Sequence, residues 1–140
     1  MRTRRPRRVH GEPPLVARSR RVLIVEDEAM IGFELQTMVR NLGHSVVAVA
    51  SNESEAVRLG IKMKPDVVLM DVRLGSGSDG VTAARRILRH RPVEIIFCTG
   101  YSHDRGTIEH IRQLGSFQIL AKPFSVSELE TALDRLPYRP

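Results

Sequence analysis

The sequence predicts an α/β fold, a doubly wound (βα)5 domain built on a five-stranded parallel sheet. Two patterns and their punctuation predict it. Five short, nearly continuous apolar runs recur at 22–25 (VLIV), 46–50 (VVAVA), 66–70 (DVVLM), 94–98 (EIIFC) and 117–121 (FQILA). Between them the apolar residues fall at helical spacing, and helix start and stop signals mark the joints. Strands that are apolar on both faces and joined by helical crossovers belong to a parallel sheet covered on both sides.

Each element has its own justification. The first helix carries Met30, Phe33, Leu35, Met38, Val39 and Leu42 as its apolar positions, and Gly43 closes it. The second carries Ala56, Val57 and Leu59, opened by Ser51 with Ser54 and stopped before Pro65. Val81, Ala84, Ile87 and Leu88 form the stripe of the third helix, and Ile108, Ile111 and Leu114 that of the fourth, which Gly115 ends. The fifth carries Val126, Leu129, Leu133 and Leu136, and Ser125 with Glu128 reads as a capping box at its start.

The 140 residues suit one domain, and 41% hydrophobic content supplies one sizeable core. Charge is uneven along the chain. Residues 1–21 hold eight arginines against one acid, Glu12, a net of +7 that leaves −1 for the rest of a chain with net +6. With three prolines and no apolar pattern, residues 1–20 are expected to be a basic disordered arm, followed by a folded domain at 21–137 and a short tail at 138–140. The arm could bind nucleic acid by counterion release, but it lacks interleaved aromatics and a helix-turn-helix pattern, so no nucleic-acid partner is expected. No apolar run approaches the ~18 residues of a membrane span and the start is too basic for a signal peptide, so the chain is expected to be cytoplasmic. The single cysteine, Cys98, excludes an internal disulfide and reads as a small buried hydrophobe.

A doubly wound sheet places its ligand site at the carboxyl ends of its strands. Glu26, Asp27 and Glu28 follow the first strand, Asp71 the third, Thr99 the fourth and Lys122, before Pro123, the fifth. Three like charges gain nothing from crowding unless something positive joins them. Oxygen ligands from Glu26, Asp27 and Asp71, with a backbone carbonyl and waters, suit magnesium, or manganese in its place. With a cation bound, the Asp71 carboxylate can attack phosphorus while Lys122 and Thr99 meet the oxygens of the transferred group. The five histidines show no pairing with metal-ligand spacing, and the "GSGSDG" stretch lacks the lysine of a P-loop.

The motifs "VLIVEDE", "PDVVLMD", "FCTGY" and "LAKPF" resemble those of receiver domains of two-component response regulators, over about residues 21–136. The resemblance implies the flavodoxin-like strand order 2-1-3-4-5. It implies that Glu26 and Asp27 hold magnesium with Asp71 and the backbone carbonyl of Arg73, and that Asp71 accepts a phosphoryl group from a phosphohistidine. It further implies that Thr99 and Lys122 bind the phosphoryl oxygens and that the Lys122–Pro123 bond is cis. The implied partners are a histidine kinase or histidine phosphotransferase and a downstream protein meeting the face of helix 4, strand 5 and helix 5, with the chain a monomer or a phosphorylation-dependent dimer. No turnover is expected beyond phosphorylation and dephosphorylation of the chain itself.

This sequence departs from the family pattern in three places. The "LGSGSDG" loop after Asp71 is one residue longer than usual and is expected to be mobile. The position of the usual switch aromatic holds Ile119, so the signalling step must differ, with Tyr101 and the loop after it as the candidate switch region. Tyr101 after Gly100 resembles a subgroup of stand-alone receivers with a "FATG"-type fourth strand. Two other classes remain open: a fragment of a larger DNA-binding regulator, and a magnesium-dependent phosphohydrolase with an aspartyl-phosphate intermediate. The hydrolase needs a second acid two residues beyond the nucleophile, where this chain has Arg73.

Overall fold

The computed structural model describes residues 19–75, 77, 79–100 and 105–138. The elements run β1 (Arg21–Val25), α1 (Ala29–Asn41), β2 (Ser45–Ala50), α2 (Glu53–Lys62), β3 (Val67–Asp71), α3 (Gly80–Leu88), β4 (Glu94–Thr99), α4 (Arg105–Leu114), β5 (Gln118–Ala121) and α5 (Val126–Asp134). All strand pairs are parallel, in the order β2-β1-β3-β4-β5. This is the flavodoxin-like doubly wound architecture. Residues 1–18, Ser76, Ser78, Tyr101–Asp104 and Arg139–Pro140 lie outside the described residues, and with them most of the basic arm, part of the glycine-serine loop and Tyr101.

The apolar strands are continuous because both faces are covered. Leu23, Val25, Val68, Met70, Ile95 and Phe97 join Ala56 and Val57 of α2, Val81 and Ile87 of α3 and Ile111 of α4 in one core. The alternate residues Val22, Ile24, Val67, Leu69 and Ile96 join Leu35 and Val39 of α1 and Leu129 and Leu133 of α5 in the other. Side chains along a strand alternate between faces, so two cores require apolar residues at every position.

Side chains cap the starts of α2, α3 and α5. Ser125 Oγ accepts from the Glu128 N–H at 3.0 Å while Glu128 Oε1 accepts from the Ser125 N–H at 2.9 Å, a complete capping box. The start of α2 corrects the sequence reading by one residue. Asn52 is the cap, its Oδ1 accepting from the Glu55 N–H at 2.8 Å, and Ser51 instead donates its N–H to Glu55 Oε1 at 2.7 Å. The amide oxygen of Asn52 reaches the free N–H groups that the sequence reading assigned to Ser51.

The first helix departs further. Met30 is 84% and Phe33 67% exposed, whereas Gly32, Leu35 and Val39 are buried. Only one stripe of a helix can face the sheet, so the two large apolar residues expected in the core lie outside it.

The domain boundary also moves. Arg20, assigned to the disordered arm, is 2% exposed. Its N–H donates to His44 Nδ1 at 3.0 Å, its Nη2 to the Leu136 carbonyl at 2.6 Å and its Nη1 to the Pro137 carbonyl at 3.1 Å. Tyr138, assigned to the tail, stacks on the guanidinium at 3.8 Å. One side chain thus joins the start of β1 to the end of α5. Replacing it strands two carbonyls and the apolar bed of its stem. Arg20→Ala is therefore expected to cost about 2–3 kcal/mol in urea unfolding at unchanged m-value, with Arg20→Lys recovering only part because an ammonium cannot fork to both carbonyls.

Candidate phosphoacceptor site

The chain order reverses between β1 and β3: α1 leads away to one sheet edge while α3 leads toward the other. The gap this opens at the strand ends is where side chains can reach a ligand without disturbing either core. Glu26 and Asp27 follow β1 directly, and Asp71 is the last residue of β3. Carboxylate oxygens of all three lie within 4.8 Å of one another, with Glu26 and Asp71 buried and Asp27 exposed. The close fit at the end of β3 depends on Gly80, where a Cβ would overlap the Asp71 carbonyl oxygen; its N–H donates to the Val72 carbonyl at 2.8 Å.

Lys122, from the loop after β5, reaches across two strands to this cluster. Its Nζ lies 2.8 Å from Glu26 Oε1 and 3.2 Å from Asp71 Oδ2. The peptide bond between Lys122 and Pro123 is cis. The remaining oxygens of the two buried acids meet backbone: Glu26 Oε2 accepts from the Glu28 N–H at 3.1 Å and Asp71 Oδ1 from the Arg73 N–H at 3.3 Å. Thr99 ends β4 beside Ala121, and its carbonyl accepts from the Lys122 N–H at 2.7 Å. Its hydroxyl donates to the Gly100 carbonyl at 3.2 Å.

The electrostatics follow from this crowding. Burial pushes the Asp71 carboxyl up to about 6; Lys122 pulls it down, and the charge and hydrogen bonding of Glu26 push it up again. For Lys122, burial works against the charged form, but the hydrogen bond to Glu26 and the charges of Asp71 and Glu26 outweigh it and raise the ammonium above its ordinary value. Cys98, one strand away, is pushed up to about 12 chiefly by burial, so its thiol stays protonated and inert. Three carboxylates against one ammonium leave the cluster short of positive charge. Its hard oxygen donors, open to water on the Asp27 side, are a set that magnesium accepts.

Of the residues read from sequence, Glu26, Asp27, Asp71 and Lys122 converge, with Thr99 at the adjoining strand end. Glu28 contributes its backbone. Arg73 bonds Asp71 through its N–H, and its backbone bridges to Asp79. Ile119 sits half-buried opposite Phe97, packed against the first core. Sequence reasoning did not find the surface groove of about 870 Å³ that runs from Lys122 along α1, lined by Ile31, Phe33, Leu35, Met38, Phe124 and Val126. Its trace in the sequence is the surplus of apolar residues on α1, more than one buried stripe can use.

The fold and this rim define a class, the doubly wound α/β domain with a lysine-bridged acidic cluster at its strand ends. The chain belongs to the response regulator receiver domain family, whose model matches residues 22–134. It is 42% identical over 115 residues to the transcriptional regulatory protein PdtaR of Mycobacterium tuberculosis, covering 82% of this chain and 55% of PdtaR. It is 35% identical over 115 residues to the phyllosphere-induced regulator PhyR of Methylorubrum extorquens, covering 81% of this chain and 42% of PhyR. This chain therefore spans about half the length of these two relatives. The chemotaxis protein CheY of Thermotoga maritima matches at 32% identity over 118 residues, with 84% of this chain and 97% of CheY covered. Among solved structures, the receiver domain of PhyR from Erythrobacter litoralis has a TM-score of 0.72 at 31% identity, covering 87% of this chain and 97% of that one. Members of the family are signalling proteins, typically phosphorylated on an aspartate, that bind magnesium through acidic residues and interact with kinases and downstream partners. Among the described residues, no helix is long and apolar enough to cross a membrane.

A pH dependence follows from the shift at Asp71. Its folded-state value lies above the ordinary 3.8, so stability is fullest below that value and is lost as pH rises through about 6. Asp71→Asn removes the charge. In metal-free buffer it should melt a few degrees above wild type at pH 7, and the gap should narrow as pH falls from 7 to 5, as read by circular dichroism.

Proposed function

We propose that this chain is the phosphoacceptor module of a two-component phosphorelay, taking a phosphoryl group from a phosphohistidine onto Asp71. The observation that carries the reading is the buried Asp71 carboxylate at the end of β3, with Glu26 and Asp27 within 4.8 Å and Lys122 Nζ at 3.2 Å. Glu26, Asp27, Asp71 and the Arg73 carbonyl would hold a magnesium or manganese ion, which supplies positive charge against the phosphoryl oxygens. An Asp71 carboxylate oxygen forms the new bond to phosphorus as the P–N bond to the donor imidazole breaks and the ring nitrogen keeps the electron pair. Lys122, already charged and within reach, transfers its contact from Asp71 to a phosphoryl oxygen. The Thr99 hydroxyl donates to another by giving up its bond to the Gly100 carbonyl. Arg73 offers no carboxylate two residues beyond Asp71, which argues against a phosphohydrolase.

The apolar groove along α1 suits the donor protein. It begins at Lys122, beside the acceptor, and exposed Phe33 lines it. The downstream partner is assigned to the face of α4, β5 and α5, where β5 is an edge strand with Ile119 half-buried. With isoleucine there, the response to phosphorylation is assigned to α4 and the face it shares with β5 and α5.

Incubation with acetyl phosphate and magnesium, read by intact mass, should add one phosphoryl group to wild type and none to Asp71→Asn, and excess chelator should abolish labelling. Labelling that survives either change would refute the reading. Phe33→Ala should slow transfer from a phosphohistidine protein about tenfold or more, the cost of losing one interface anchor, while leaving labelling by acetyl phosphate within about twofold.

A further inference from the structure

Gly75, between β3 and α3, lies beside the acidic cluster. Glu26 and Asp71 are each fixed by Lys122 and by a backbone N–H, and both are buried. Asp27 differs, being exposed, and its Oδ2 lies where a side chain on Gly75 would begin. A Cβ built on Gly75 would stand 2.9 Å from that oxygen, closer than a carbon and a carboxylate oxygen can rest. Gly75 also has φ +69°, a left-handed conformation that an L side chain adopts only under strain. Two residues on, Gly77 also has a positive φ, +79°, but among the described residues a Cβ there would meet nothing within 4 Å. The two glycines therefore share a backbone requirement and differ in one respect, contact with Asp27.

We propose that Gly75 is a positioning residue for Asp27: the missing side chain leaves the volume in which the Asp27 carboxylate closes with Glu26 and Asp71 around a divalent cation, so that the β3–α3 loop sets the cation affinity of the site. This rests on the phosphorelay reading above and adds to it a determinant from outside the set of ligating side chains. A Cβ at Gly75 displaces either the loop or the carboxylate. The carboxylate is the freer of the two, because it is a single exposed side chain. Displacing it spreads the donor set and weakens the hold on the cation.

The test is Mn2+ binding to purified protein, followed by electron paramagnetic resonance of the free ion, with thermal unfolding recorded in metal-free buffer. Gly75→Ala should weaken Mn2+ binding about tenfold or more, the usual scale for groups that orient metal ligands. Gly77→Ala should leave Mn2+ binding within about twofold of wild type although it too places an L side chain at a positive φ and lowers the melting temperature. In an Asp27→Ala background, adding Gly75→Ala should produce no further loss, since the two act through one carboxylate. Equal Mn2+ affinity in Gly75→Ala and wild type would overturn the proposal. So would equal weakening in both glycine variants, or an additive loss in the double variant. Failure of wild type to bind Mn2+ would instead overturn the phosphorelay reading on which the proposal depends.

Discussion

A parallel sheet buried on both faces constrains everything else in this protein. Every strand position from Val22 to Val25 and from Val67 to Met70 is committed to one core or the other. Polar chemistry can therefore be built only where the strands stop. Asp71 is the last residue of β3, Glu26 and Asp27 come immediately after β1, and Thr99 is the last residue of β4. The same constraint gives the site its rigidity, because each functional side chain is anchored within a residue or two of a strand that cannot shift without opening a core.

Within that frame the site is organised by a shortage of positive charge. Lys122 lies between Glu26 and Asp71 and stabilises both, yet it is one cation among three carboxylates. Burial and the charge of Glu26 keep the Asp71 carboxyl near 6 despite the lysine. A divalent ion held by these carboxylates would relieve that imbalance.

Two surfaces adjoin this rim. The groove beginning at Lys122 is walled by α1 and by Phe124 and Val126 after β5, so an apolar partner seated there would lie next to Lys122 and the acidic cluster it bridges. On the other side the β3–α3 loop brings backbone, without a side chain, against Asp27 at Gly75, and α3 begins against the Asp71 carbonyl at Gly80. Access to Asp71 and the geometry of its neighbours are thus set by different elements, which sequence change can alter separately.

Much of this was legible in the chain itself. Short apolar runs alternating with helical stripes specify a doubly covered parallel sheet, because each pattern fits only one periodicity, and residues that end strands must converge on one rim. Glu26, Asp27, Asp71 and Lys122 could be placed together on that ground, and the Ser125–Glu128 capping box is a local motif that needs no tertiary partner. What lay beyond the sequence depends on contacts between distant residues. Arg20 looked like part of a basic arm, and its burial follows from the Leu136 and Pro137 carbonyls that the end of α5 brings to it. Met30 and Phe33 fit the helical spacing of α1, and only the rotation of that helix on the sheet leaves them in solvent. Gly75 and Gly77 read alike along the chain; folding alone puts the Asp27 carboxylate beside one of them and open space beside the other.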